Sequence, residues 1–363
     1  MTVQAVGTVA PRRGDTALDF VFVIDELSSL QPGHDSSVAL MEAAQLLGHR
    51  VLVTTASGLG FSEGRPTAEC QQVTLRPAVR HEGHWLVDAD WSCVTQPVRY
   101  RLDEAHAVFM RTDPPVNADY LRATYLLDLV DPARTVMVNS PAGVRNANEK
   151  LFALRIPHLG PPTVVSADRR QLRETVAGWG RAVLKPTDGM AGRGVLILDP
   201  ADPNLTSILD TATERGTVQV VVQRWLAESI AGDRRVIVLD GRPLGVVRRV
   251  ARAGEFRCNM AAGGEPVADS VTDRDREICA ALAPLLREHG LSFVGIDVIG
   301  DFLTEVNVTS PTGLREIDAL TGSNLAGEII SWATDRARSC RLSIAEPALG
   351  GLEISSLETV DHR

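Results

Sequence analysis

Lysine is almost absent from this chain. It has 37 basic residues, and only Lys150 and Lys185 are lysine. Such a bias matches GC-rich coding, under which a basic position free to be arginine becomes arginine. A lysine that persists is either a chance survivor on the surface or a place where a compact point charge serves and a planar fork does not. Long apolar runs are missing too. None approaches the ~20 residues that cross a bilayer, and stretches such as Phe20–Ile24 and Val218–Val222 have strand length. The five cysteines (Cys70, Cys93, Cys258, Cys279, Cys340) form no CxxC pair, and the eight histidines form no HExxH. This excludes a disulfide frame or a zinc site and points to reduced thiols in the cytoplasm. There is no block of like charge, and the net charge of −9 argues against nucleic acid, whose phosphates need a basic face. The first residues lack a charged start followed by an apolar core, so they read as an extension rather than a signal peptide.

What is present is ordinary globular composition, 44% apolar and 23% charged over 363 residues, enough for two or three domains. Phe20–Ile24 reads as a buried strand. A helix over Ser37–Leu47 follows, started by Asp35-Ser36 and stopped at Gly48, and then a strand over Arg50–Thr55. This βαβ unit favours a parallel sheet. A strand at Ala107–Arg111 ends against Pro114-Pro115, and a helix over Ala118–Leu129 and a strand over Thr135–Val138 complete an α/β domain. Residues 60–103 receive no assignment. A helical start at Asn148–Phe152 and a Pro-rich joint at 157–162 then lead into an α+β region. Its strands are Ala182–Lys185, Val195–Leu198, Val218–Gln223, Arg235–Leu239 and Leu244–Val250, with hairpin-length connections. A helix over Asp273–His289 and a final strand pair, Phe293–Ile299 and Leu303–Val308, close it.

Three constellations carry chemistry. Lys185 ends a strand and is followed by three glycines in six residues, Gly189, Gly192 and Gly194. Such a loop is either a plain turn or a backbone cradle for phosphate oxygens. It fits neither the P-loop nor a GxGxxG that opens a helix, because a strand follows. Second, Glu305 and Asn307 alternate on one strand face, and Asp297 lies on the preceding strand. A three-residue turn sets Asp297 directly opposite Glu305, whereas a two-residue turn puts it on the other face, so a shared metal site requires the longer turn. Two carboxylates and an amide oxygen are hard ligands suited to Mg²⁺ on phosphates. Third, Asp233-Arg234-Arg235, Arg248-Arg249 and Arg257-x-Asn259 fall on or near successive strands. They are solvated strand residues or fixed positive charge for a phosphoryl-transfer intermediate.

The order of these parts resembles the ATP-grasp layout. The run 295–312 (GIDVIGDFLTEVNVTSPT) closely resembles bacterial glutathione synthetase. So do Asp35-Ser36-Ser37, Arg111-x-Asp113-Pro114-Pro115, Asn148-Glu149-Lys150-Leu151-Phe152, Leu184-Lys185-Pro186-x-Asp188-Gly189-Met190 and Asn259-x-Ala261-Ala262-Gly263-Gly264. The resemblance implies a fold of α/β plus α+β type, in which an N-terminal parallel-sheet (pre-ATP-grasp) domain over 19–146 precedes an ATP-grasp domain over 147–340. The latter divides into a nucleotide lid, 147–222, and a metal and substrate subdomain, 223–340. An extension (1–18) and a tail (341–363) flank them.

By that resemblance Lys150 and Lys185 contact the α- and β-phosphates of ATP, and the loop from Asp188 through Gly189 and Gly192 to Gly194 closes over them. Gln223, Trp225 and Leu226 form the adenine hinge, and Asp233 lies near the nucleotide. Arg235 and Arg249 sit near the γ-phosphate, while Asp297, Glu305 and Asn307 hold two Mg²⁺, with Mn²⁺ a possible substitute. Arg257, Asn259, Thr309, Ser310 and Thr312 face the acid substrate, helped by Asp35, Ser36, Ser37, Arg111 and Asp113. The implied reaction joins γ-glutamylcysteine to glycine through an acyl phosphate, in a cytoplasmic homodimer or homotetramer with small-molecule substrates only. Thr112 stands where the family has lysine, Ala191 replaces a loop glycine, Arg193 is added and Arg248 precedes Arg249. These departures keep two other readings open: a related ligase joining a different acid and amine in specialised metabolism, and a non-catalytic ATP-binding regulator.

Overall fold

The computed structural model describes residues 17–190 and 192–345. The expected extension and tail, and Ala191, therefore lie largely or wholly outside the described residues. The N-terminal domain opens with β1 (Asp19–Val23), α1 (Ser36–Leu46) and β2 (Arg50–Thr54). Asp35 starts α1 by accepting from the N–H groups of Ser37 (2.6 Å) and Val38 (3.3 Å), the side-chain cap that helix ends need. Residues 59–101 then form β3 (Leu59–Ser62), β4 (Arg65–Leu75), β5 (Val79–His81), β6 (His84–Leu86), β7 (Ser92–Val94) and β8 (Val98–Arg101). β9 (Ala107–Met110), α2 (Ala118–Leu127), β10 (Val136–Val138) and α3 (Pro141–Asn146) complete the domain. The sheet runs β10-β9-β1-β2-β4-β3, parallel from β10 to β2. The unassigned stretch supplies an antiparallel edge on β2, with β7 and β8 also paired to β4. β5 and β6 pair only with each other, as a separate hairpin.

The helical start expected at 148 is instead a turn leading to a short 3-10 helix at Phe152–Arg155. The helix lies earlier, at α3, where Pro141 occupies the first turn and Ser140 Oγ accepts from Gly143 N at 3.2 Å, a position that suits proline. Next comes the lid: β11 (Thr163–Ser166), α4 (Arg169–Trp179), β12 (Ala182–Pro186), β13 (Leu196–Leu198), α5 (Leu205–Ala212) and β14 (Val220–Arg224). Only β12 and β13 are joined without a helix between them, so hairpin-length connections throughout were the wrong expectation. α4 carries Leu172 and Val176 one turn apart and is capped by Asp168, a helix pattern. The lid sheet, β11-β14-β12-β13, is antiparallel and has its own small core around Leu172, Leu184, Leu209 and Val222. The expected boundary at 222/223 falls inside β14, which continues to Arg224.

The large subdomain has β15 (Asp233–Leu239), β16 (Arg242–Val250), β17 (Glu265–Ala268), α6 (Asp273–Glu288), β18 (Phe293–Ile299), β19 (Phe302–Asn307), α7 (Leu314–Thr321) and α8 (Leu325–Ala345). Its sheet is antiparallel in the order β17-β16-β15-β18-β19. It does not fold apart from the N-terminal domain. Ile329, Ile330, Ala333 and Ala337 of α8 share one core with Phe20, Phe22 and Met41. Buried Asn139, just past β10, bonds Phe293 in both directions (2.7 and 2.8 Å) and Val308 O at 2.9 Å. Phe152 likewise packs into the core under β18 and β19, so residues just after 147 belong by packing to the large unit and not to the lid. Among the described residues no helix is long and apolar enough to cross a membrane.

Candidate active site

A cleft of about 400 Å³ opens between the lid sheet and the large sheet, within the range of small-molecule sites. Its floor is the hairpin of β18 and β19. Ile299 pairs with Phe302, so the turn, Gly300-Asp301, has two residues and not the three that the shared metal site called for. The two carboxylates face each other all the same. A β-bulge at Thr304 inserts one residue into β19 and sets Asp297 opposite Glu305. Thr304 Oγ1 donates to Asp297 O at 3.1 Å and ties the bulge down. Asn307 Nδ2 donates to Gly295 O at 3.3 Å, which leaves its amide oxygen for another partner.

The two lysines converge on this floor from the other side. Lys185, near the end of β12, places Nζ 3.1 Å from Glu305 Oε1. Lys150 is buried and its ammonium donates to Gly189 O in the glycine loop. Asn148, which had no assigned role, aims this segment. Its Oδ1 accepts from Lys150 N at 3.1 Å, and its Nδ2 donates to Thr187 O at 2.9 Å. Gly189 and Gly192 line the cleft. Asp188 and Gly194 do not, and Gly194 lies against the Pro186 ring.

Beside the lysines lies a buried ionic cluster. Arg235 clasps Asp297 through Nε–Oδ1 (2.6 Å) and Nη2–Oδ2 (3.1 Å). Arg249 reaches Asp297 Oδ2 at 3.0 Å and both oxygens of Asp233 at 2.7 and 2.6 Å. Burial alone would raise the Asp297 pKa, yet the two guanidiniums hold it well below the usual carboxylate range. Gln223, Trp225 and Leu226 form the cleft's back wall at the lid hinge. The Trp225 ring lies 5.6 Å from the Arg181 guanidinium and 6.4 Å from the Phe256 ring. Arg257 is held by Glu255 (2.6 Å) and donates to Gly192 O at 3.3 Å, and Asn259 stands beside it.

The remaining wall is the loop 309–312. Thr309, Ser310 and Thr312 line the cleft, as does Asp113, which accepts from Ser310 Oγ. Arg235 Nη1 donates to Thr312 O at 3.2 Å. Glu149, quoted in the sequence only as a neighbour of Lys150, organises this loop. Its Oε1 accepts from Val308 N (3.0 Å), Thr309 N (3.2 Å) and Thr309 Oγ1 (2.9 Å). Four expected substrate residues do not line the cleft. Asp35 is spent on capping α1, and Ser36 Oγ accepts from Leu314 N at 3.3 Å. Ser37 Oγ accepts from Arg111 Nε at 3.1 Å, and Arg111, 3% exposed, donates through Nη2 to Pro311 O at 3.0 Å. Arg111, set by Ser37, braces the loop from behind, and Ser36 holds the start of α7 just after it.

Sequence comparison assigns both halves of this arrangement. Residues 18–145 match the N-terminal domain of prokaryotic glutathione synthetase, and residues 149–322 match its ATP-grasp domain. The glutathione synthetase of Synechocystis is 49% identical over 315 residues, covering 87% of this chain and 98% of that protein. The chain belongs to the prokaryotic glutathione synthetase family. The glutathione synthetase of Thermosynechococcus vestitus is similarly close, 50% identical over 87% of this chain and 99% of its own. Among solved structures, D-cycloserine synthetase DcsG aligns with a TM-score of 0.59 at 15% identity over 88% of this chain and 99% of that one. ATP-grasp ligase PsnB with a precursor, Mg and ADP aligns at 0.56 with 18% identity, over 88% and 98%. At such identities the two share the ATP-grasp fold. Membership in the glutathione synthetase family makes the chain an ADP-forming carboxylate–amine ligase, and the family uses ATP and a divalent metal ion.

Proposed function

We propose that this chain joins glycine to γ-glutamylcysteine at the expense of ATP, releasing glutathione, ADP and phosphate. The observation that carries the reading is the meeting, in one cleft, of two lysines and a glycine loop from one side with the Asp297/Glu305/Asn307 hairpin from the other. Lys150, Lys185 and the glycine loop hold the α- and β-phosphates, and the hinge at Gln223, Trp225 and Leu226 holds adenine.

The donor set fits Mg²⁺. It is oxygen only, Asn307 keeps its amide oxygen free of Gly295, and each carboxylate oxygen has two lone pairs, so Asp297 can keep Arg235 and still meet a cation. Two Mg²⁺, replaceable by Mn²⁺, would neutralise the phosphate oxygens during transfer. The protein's own part is positional. Arg235 and Arg249 are fixed by Asp297 and Asp233 and present preorganised charge toward the γ-phosphate. Arg257, Asn259 and the 309–312 loop orient the acid. Its carboxylate oxygen bonds to the γ-phosphorus as the bond to ADP breaks. The neutral amine of glycine then bonds to the acyl carbon, phosphate leaves with the C–O electron pair, and the amine gives up its proton. The glycine loop and the 252–264 loop meet over the cleft and exclude water, which the acyl phosphate requires.

The chain works in the cytoplasm as a homodimer or homotetramer on small molecules. The test is phosphate release with ATP, Mg²⁺, γ-glutamylcysteine and glycine, each omitted in turn. Turnover only with all four supports the proposal. Turnover only with another acid or amine would transfer the chain to a related ligase activity, and ATP binding without turnover would make it a regulator.

A further inference from the structure

The β5–β6 hairpin has no place in the main sheet, and a lone two-stranded ribbon is marginal in water. Of its six strand residues only Trp85 is not exposed. That ring turns onto α7 of the other domain. Trp85 Nε1 donates to Arg315 O at 2.7 Å, and the Arg315 guanidinium lies 4.6 Å from the ring centre. From β5, Arg80 Nη1 donates to Asp318 O at 3.0 Å and shares that carbonyl with the capping Gly322 N–H, at the C-terminal turn of α7, where a cation is favoured.

The base of the hairpin is anchored in the same place. Ala78 N donates to Glu42 Oε1 at 3.1 Å, while Glu42 Oε2 pairs with Arg315 at 2.8 Å in a buried ion pair. His34 meets Glu316 at 3.2 Å. α7 is therefore gripped at its first turn and its C-terminal turn by residues that do not line the cleft. Its N-terminus, in turn, is continuous with the 309–312 loop through Gly313. A helix moves as a rigid rod, so a shift of α7 is delivered to that loop, and an ångström of misplacement is costly in a ligase site.

We propose that the hairpin is a clamp that positions the 309–312 loop through α7, with Trp85 as the positioning residue. The inference rests on the reading that this loop faces the acid substrate. It makes Trp85 a determinant of acid affinity, although it is outside the cleft.

The test compares wild type, Trp85→Phe and Trp85→Ala. Two readouts are used, steady-state kinetics and amide hydrogen exchange of 309–321. Trp85→Ala is expected to raise KM for the acid about fivefold to tenfold, with KM for ATP unchanged. It should also speed exchange at 309–313 by about tenfold while the β15–β18 core stays protected. Trp85→Phe keeps the stack on Arg315 and loses only the Nε1–H bond, so it should fall between the two. A general loss of stability would instead lower activity without splitting the two KM values. Unchanged exchange at 309–313 in a folded Trp85→Ala protein overturns the clamp. If wild type does not use γ-glutamylcysteine, the substrate assignment falls, and the exchange comparison still decides the clamp.

Discussion

Lys185 on the lid and Glu305 on the large sheet form an ion pair at 3.1 Å, so the two halves of the cleft are tied by the charges that ATP and metal would use. Under the proposed function a cation at Glu305 would compete with Lys185 for the same oxygen, and phosphates would give the displaced ammonium a new partner. The exchange keeps both charges compensated in a partly buried place, where an unpaired charge is costly. Glu305→Gln keeps the shape and removes the charge. Turnover should fall by about 10²–10³-fold, the usual cost of losing one transition-state charge contact, with ADP binding retained. Phosphate release measures the first and calorimetric titration the second. Full activity in the variant would remove Glu305 from the machinery.

Asp297 is the keystone of the arginine cluster. Asp297→Asn leaves Arg235 and Arg249 buried with one counter-charge fewer, which should cost about 3–5 kcal/mol of stability. The pH dependence follows from its lowered pKa. A carboxyl whose folded pKa lies below its unfolded value of 3.8 contributes stability above that value and loses it as pH falls through the folded pKa. Urea melts of wild type and variant should therefore differ by a constant amount from neutral pH down to about 5 and converge only below about 4. A gap that closed near neutral pH would show that Asp297 is not ionised in the cluster.

Glu149 runs the opposite way. Burial pushes its pKa up, against the three donors on its Oε1. With a folded pKa above the unfolded one, its stabilising share is complete below the unfolded value of 4.5 and is lost as pH rises through the folded one. Glu149→Gln keeps an oxygen for the three donors and carries no charge. It should match wild type in acid and be the more stable of the two above the raised pKa. Glu149→Ala strands the Val308 and Thr309 N–H groups, at about 1–3 kcal/mol. Thermal melts across pH 4 to 8 would separate the two. Equal stability of Gln and Ala variants would mean that the three bonds contribute nothing.

These residues also mark how far the chain could be read before folding. Asp35 as a cap, the apolar runs of β1 and β18, and the Glu-x-Asn alternation on β19 are local signals of period and chemistry, and each appears where the spacing put it. The Thr304 bulge could not be read this way. It is defined by the partner strand, and a count of turn residues gave the wrong rule for Asp297. Asn139, Glu149 and Trp85 escaped for a related reason. Their partners lie 154, 160 and 230 residues away, and no local period reports a bond of that reach. The α4 helix is different, since its Leu172 and Val176 and its Asp168 cap were legible and lay in a stretch read only for strands.

Gly192 is where the two covering loops touch. Its φ of +73° and a Cβ that would stand 2.6 Å from Asn259 Oδ1 and 3.3 Å from Arg257 Cδ leave no room for a side chain. Gly192→Ala should part the glycine loop from the 252–264 loop. Gly180, with φ +77° and nothing within 4 Å of its Cβ, is the control, because Gly180→Ala likewise puts an alanine at positive φ but without the crowding. If the loops shield the acyl phosphate, Gly192→Ala should still cleave ATP when the acid is present but lose part of the product to water. The ratio of peptide formed to phosphate released should drop well below one in Gly192→Ala and stay near one in wild type and in Gly180→Ala. A coupled but slower Gly192→Ala would assign the contact to binding instead of shielding, because water would then be excluded without it.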